Sequence, residues 1–226
     1  MTIPLYNILI AAISVIYVFT VVAIMDFAVK KGFPSDISRK VIHIAAGCWL
    51  LFWYFFDDSD VTKYLNILPA AIWTILLLIK GISASPNDDA VKTMTRSGDK
   101  KELLRGPFYF TLVMIVSGTF LYKTEAALTA IGILAWGDGM APVVGSRLGK
   151  LKYSLVTEKT LEGSLAFSVF GFLGAMLFNY FILGTYDTEL ILISVIVATI
   201  VEALSPKDLD NLLIPTACFI IYYLVY

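Results

Sequence analysis

The chain has 226 residues, 58% of them hydrophobic and 15% charged, with a mean hydropathy of +0.81. That apolar excess excludes a water-soluble globule and requires a polytopic membrane protein. A net charge of -1 leaves no basic surplus for a nucleic-acid partner.

A crossing takes roughly 17 to 25 mostly apolar residues, so the length accommodates about seven or eight helices with short loops and no separate soluble domain. Hydropathy predicts spans near 3–26, 40–56, 61–80, 106–122, 126–145, 161–183, 189–204 and 209–226. The expected fold class is therefore all-α, an integral membrane helical bundle with residues 1–226 as one transmembrane domain. The first run, Ile3 to Met25, has no Lys or Arg before it and is too long for a signal peptide's core, so it reads as a true helix. Cys48 and Cys218 lie inside apolar runs and read as small hydrophobes.

Assigning loops alternately puts fifteen of the seventeen basic residues on one side, leaving only Lys63 and Lys123 on the other. By the positive-inside rule the basic side is cytoplasmic and both termini lie outside. Asp138, Glu158, Glu162, Glu202, Asp208 and Asp210 share that cytoplasmic side. The long polar segment Ile82 to Arg105 reads as a solvated loop or, through Met94, Leu103 and Leu104, as a short interfacial helix against anionic headgroups.

Asp138 follows ALTAIGILAWG, a run too short to cross, so its helix must carry the carboxylate below the surface at a cost of at least about 2.5–3.5 kcal/mol. Gly137, Gly139 and Pro142 around it predict a locally broken helix with free backbone N–H groups. The glycines Gly145 and Gly149, with Arg147, Lys150 and Lys152, read as a weak phosphate cradle; Val144 and Leu151 rule out a P-loop pattern. Thr160 is the predicted N-cap of the next helix, whose positive end, with Lys159 and Glu162 beside it, suits an anionic phosphate. In that helix Ser164, Ser168, Gly171 and Ala175 set small residues three or four apart, a spacing for close packing.

Arg39 and His43, four apart on one helical face, stand beside Lys40 at another helix start, and His43 reads as structural or as a phosphate or base group. Glu202, Asp208, Asp210 and Asn211 gather oxygen donors within ten residues, which suits Mg2+ better than Zn2+. Carboxylates for a divalent metal, cations for phosphates and a lipid-accessible wall are what phosphoryl transfer to a lipid requires.

Asp138, Ala141, Gly145 and Gly149, then eight residues, then Glu158-Lys159-Thr160-Leu161-Glu162-Gly163, resemble the nucleotide-binding motif of the polyprenol kinase family, departing from it only at Glu158. That family comprises dolichol kinases, phytol kinases and CTP-dependent diacylglycerol kinases. The resemblance extends to Ser38-Arg39-Lys40 with His43 and Gly47, to Arg105-Gly106-Pro107, and to Glu202 followed by Asp210-Asn211 and Pro215; the short length looks most like phytol kinases and their prokaryotic relatives.

The resemblance implies a CTP-dependent kinase, or one using another nucleoside triphosphate, acting on the hydroxyl of an isoprenoid alcohol such as phytol, geranylgeraniol or a polyprenol, with Mg2+. The expected catalytic residues are Asp138, Glu202 and His43. Arg39, Lys40, Gly139, Ala141, Gly145, Gly149, Lys150, Lys159, Thr160, Glu162 and Gly163 would hold the nucleotide. Asp138, Glu202, Asp210 and Asn211 would hold the metal. A cytidylyltransferase making a CDP-lipid needs the same nucleotide and metal, and a transporter is the rival from another class; charges gathered at one face without a visible repeat stand against the transporter.

Overall fold

The computed structural model describes residues 2–85 and 87–225. Their regular structure is helical except for one short hairpin, and the chain forms two compact units, Met1–Tyr122 and Lys123–Tyr226. Among the described residues five helical segments are long and apolar enough to cross a membrane: Ile3–Lys30, Val61–Ser83, Lys100–Phe120, Glu125–Leu148 and Leu161–Leu183. The chain is a multi-pass membrane protein.

The first unit is built from α1 (Ile3–Lys30), α2 (Ser35–Cys48), α3 (Leu68–Ser83), α4 (Asp89–Met94) and α5 (Gly106–Phe120). The predicted span 40–56 resolves into the second half of α2 and a 3-10 stretch, Trp49–Phe55, and is not among the five long spans. Short helices do form in the polar segment, α4 and a 3-10 turn over Lys100–Leu104. Their apolar residues Met94 and Leu103 are buried with Val22, Met25, Ile42, Leu77 and Val91, because α1, α2 and α3 leave an apolar gap that the polar segment folds back to fill. The Lys80–Asp88 pair, at 2.7 Å, ties that segment to the end of α3.

The second unit holds α6 (Glu125–Gly132), a π-helical stretch Ile133–Asp138, α7 (Gly139–Leu148), the hairpin β1 (Lys152–Ser154) and β2 (Glu158–Thr160), α8 (Leu161–Leu183), α9 (Thr188–Leu204) and α10 (Asp210–Val225). The predicted span 161–183 is α8, and 189–204 is α9 to within a residue. The last predicted span is α10, its final residue falling outside the described ones.

α8 lies against α6, the π stretch and α7. Backbones touch there: a Cβ on Gly132 would stand 2.6 Å from Ala175 Cα, and one on Gly174 would stand 2.7 Å from the Gly132 carbonyl. This is the close approach that the small residues of α8 predict. Polar cross-links complete it, from Asn179 Nδ2 to Thr129 Oγ1 at 3.0 Å, between Thr129 and Tyr222 at 2.9 Å, and between Ser168 and Thr199 at 2.9 Å.

Candidate functional site

Asp138 does not sit in a broken helix. The chain stays helical from Glu125 to Leu148, widening to a π-helix over Ile133–Asp138. Pro142, which has no N–H for the Asp138 carbonyl four residues earlier, follows one turn further on inside α7. A π turn is a frequent feature of functional sites. The Asp138 side chain is buried, at 8% exposure, below the end of the long span.

The predicted glycine cradle is also helix, α7 running to Leu148. Ala141, Gly145 and Gly149 recur every four residues and meet the start of α8. A Cβ on Gly145 would lie 2.8 Å from Thr160 Oγ1, one on Gly149 would lie 2.6 Å from Thr160 Cγ2, and one on Gly163 would lie 3.0 Å from the Ala141 carbonyl. The motif spacing is thus the geometry of two helices in contact. Thr160 caps α8 as expected, accepting from the Gly163 N–H at 3.2 Å.

Backbone amides in this stretch are already engaged. Glu162 accepts the N–H of Lys150 at 2.9 Å and of Leu151 at 3.3 Å, Gly149 donates to the Gly145 carbonyl, and Leu161 donates to the Leu151 carbonyl. Glu162 therefore fastens the hairpin to α8. The side-chain cations of this stretch are Arg147 and Lys150, both exposed, and Lys152 and Lys159, which stand on the hairpin.

The hairpin sorts those two lysines. Its register pairs Tyr153 with Lys159 and Ser154 with Glu158, so Tyr153 and Lys159 share one face while Lys152 and Glu158 share the other. On the inner face Tyr153 bonds Ser164 at 2.5 Å, and Lys159 Nζ reaches the end of α9, donating to the Glu202 carbonyl and, at 2.5 Å, to Glu202 Oε1. On the outer face Lys152 pairs with Glu158 at 2.8 Å in solvent. Glu158, the one departure from the family motif, thus faces away from Lys159. Lys152 holds the Glu158 carboxyl below the usual carboxylate range.

Asn211 opens α10 beside Asp210, whose carboxylate accepts the Asn211 backbone N–H at 3.0 Å and side-chain N–H at 3.3 Å. Among the described residues Asn211 Oδ1 is buried without a hydrogen-bond partner. α10 packs on α6 and the π stretch, with Tyr222 level with Thr129. Asp138 lies nine residues beyond Thr129 and Asn211 eleven before Tyr222, so at about 1.5 Å per residue the two sit within roughly one helical turn in depth. Glu202, three residues past the Thr199–Ser168 bond, lies at the same end of the unit.

These all-oxygen donors fit a hard cation, Asn211 Oδ1 being buried without a hydrogen-bond partner among the described residues. No cluster of three or more His, Cys, Asp or Glu able to hold a metal occurs among the described residues. Glu202, expected in the metal set, is engaged by Lys159.

Arg39, Lys40 and His43 belong to the first unit. Lys40 is buried in α2 and His43 is half-buried, its ring 4.4 Å from that of Phe110. Sequence reasoning missed Tyr153 and Ser164, which hold the hairpin's inner face, although strand alternation places Tyr153 beside Lys159. It also missed Trp136, whose indole N–H is buried without a partner among the described residues two positions before Asp138.

A helical membrane protein with buried acids, an amide and a lysine at one end of a unit belongs to the class of intramembrane catalysts and carriers. The comparisons decide between them. Over 204 residues the chain is 32% identical to the probable phytol kinase 1, chloroplastic, of Glycine max, covering 85% of this chain and 68% of the relative. It is 31% identical to phytol kinase 1, chloroplastic, of Arabidopsis thaliana, over 86% and 68%. It is 30% identical to the farnesol kinase, chloroplastic, of the same plant, over 67% and 50%. The chain belongs to the phytol kinase family and is an alcohol phosphotransferase. No protein-family model and no solved structure matches it.

Proposed function

We propose that the protein transfers the γ-phosphate of CTP, or of another nucleoside triphosphate, to the hydroxyl of an isoprenoid alcohol of the phytol, geranylgeraniol or polyprenol type. The observation that carries this reading is the motif of Asp138 to Gly163 placed on one helical unit, with Lys159 half-buried beside Asp138's end of the bundle, in a chain whose relatives are named phytol and farnesol kinases.

Lys159 meets a nucleotide phosphate, with Lys150 at the hairpin's base as a second cation. Asp138 and Asn211 would hold Mg2+, the commoner pattern for that ion being one or two protein oxygens completed by phosphate and water. An ion held there would supply charge neutralisation for the transferring phosphoryl group. Asp138 and Glu202 are the carboxylates near enough in depth to take the proton of the lipid hydroxyl. Gly145, Gly149, Thr160, Glu162 and Gly163 serve the nucleotide indirectly, by fixing the hairpin that presents Lys159.

We place this site at the cytoplasmic face, with both termini outside, on the strength of the basic bias. Eight crossings are consistent with it. The five long spans are joined by α9, α10 and the continuous path Ser35–Phe55, whose fourteen α-helical and seven 3-10 residues extend about 35 Å. The substrate panel is CTP, ATP, UTP and GTP against phytol, geranylgeraniol, a long polyprenol and diacylglycerol, with membrane lipid present. Label from the γ-position should enter an isoprenoid alcohol. Entry of the cytidine moiety instead establishes a cytidylyltransferase, and entry of neither label removes the enzyme reading.

A further inference from the structure

The lysine assigned to the nucleotide is not waiting in an open pocket. Lys159 Nζ is bound twice by one residue, Glu202, through its backbone carbonyl and its carboxylate, and the two side chains are only 16% and 8% exposed. The partners come from different elements, β2 and α9, so the contact also holds the hairpin's inner face to the end of the bundle. A buried ion pair is seldom worth more to stability than an apolar pair of the same size, so its presence at the centre of a phosphate-binding motif points to a use. The same hairpin offers the contrast: Lys152 and Glu158 form a pair of the same chemistry in full solvent, where nothing needs to be exchanged.

We propose that Glu202 is a displaceable counter-ion. It holds Lys159 at the site while no nucleotide is bound, and nucleotide phosphate competes with it for the ammonium group. Phosphate, with more charge and more acceptor oxygens, takes over Lys159, and the Glu202 carboxylate is released toward the end of the bundle that Asp138 and Asn211 occupy. Nucleotide binding therefore pays a penalty set by the fraction of molecules in which Glu202 keeps Lys159. Removing the competitor removes that penalty, because an apparent dissociation constant is the intrinsic one divided by the competent fraction. Glu202 is in this respect a positioning residue acting through Lys159. The inference rests on the kinase reading, and its signature is a change of sign that a purely structural role would not give.

The test is nucleotide affinity of the purified full chain in lipid nanodiscs, measured by titration calorimetry with a non-hydrolysable CTP analogue and Mg2+, with thermal midpoints recorded for every variant. E202Q should bind about threefold tighter or more than the wild type. E202D, which keeps the charge but withdraws it by one methylene, should fall between them and provides the reading if E202Q does not fold. K159M should bind at least about tenfold more weakly. In K159M/E202Q, which strands no charge, affinity should match K159M alone, since without Lys159 there is nothing for Glu202 to withhold. Folded E202Q or E202D that binds no tighter than the wild type overturns the proposal while leaving the kinase reading in place, and so does a gain from E202Q that persists without Lys159. Absence of nucleotide binding by the wild type overturns both.

Discussion

The two faces of one short hairpin, Lys152–Thr160, carry the same kind of ion pair in opposite settings. Lys152 and Glu158 meet in water with side chains 66% and 69% exposed, whereas Lys159 and Glu202 meet at 16% and 8%. Adjacent acid and base, Glu158 and Lys159, point apart because strand side chains alternate. The difference teaches that charge content along the motif says little about function until each charge is given a face: the exposed pair is a solvated tie, and the buried pair joins the hairpin to the helical unit that holds Asp138.

Substitutions on the inner face should break this contrast most severely. Lys159→Met leaves the Glu202 carboxylate buried without its cation and is expected to cost about 3–5 kcal/mol, read as a fall in the thermal midpoint, with Glu202→Gln in the same protein restoring much of it. Asp138→Asn should leave the midpoint nearly unchanged and lower turnover by about 100-fold or more; full activity would remove Asp138 from the reaction. Gly145→Val puts a branched side chain where Thr160 Oγ1 already stands 2.8 Å from a single Cβ, and overpacking of this kind should cost about 1–3 kcal/mol in stability. Thr160→Ala deletes the α8 cap and should cost about 1 kcal/mol.

The smallest effect belongs to the outer face. Glu158 has its carboxyl held below the usual range by Lys152, so the pair contributes above the unfolded-state value and the contribution fades as pH falls through the folded-state value. Its exposure leaves little to lose. Lys152→Met should return the Glu158 titration toward the ordinary carboxylate value, seen by carboxyl NMR, with midpoint and turnover unchanged at pH 7.

Much of this was legible in the chain. The bounds of α8, the Thr160 cap and the small-residue face of α8 follow from patterns within one helix. Asp138 and Glu202 stood out because ionisable groups inside apolar runs are costly. Three things were not legible. Ala141, Gly145 and Gly149 at four-residue spacing suit a glycine loop and a helix contact equally, and only the close approach of Thr160 and Gly163 separates the two. Glu162 looked like a phosphate-site acid, yet its partners are amides eleven and twelve residues back, brought round by a hairpin too short to signal itself. The Lys159–Glu202 pair joins positions 43 residues apart, a separation that no local periodicity encodes.

The most direct measurement is transfer of label from γ-labelled nucleoside triphosphate to an isoprenoid alcohol by purified wild type, Lys152→Met and Lys159→Met side by side, each corrected for folded fraction. The account predicts labelled lipid phosphate from the wild type and Lys152→Met at similar rates and almost none from Lys159→Met. Equal transfer by Lys152→Met and Lys159→Met, or no transfer by the wild type to any isoprenoid alcohol, would contradict it.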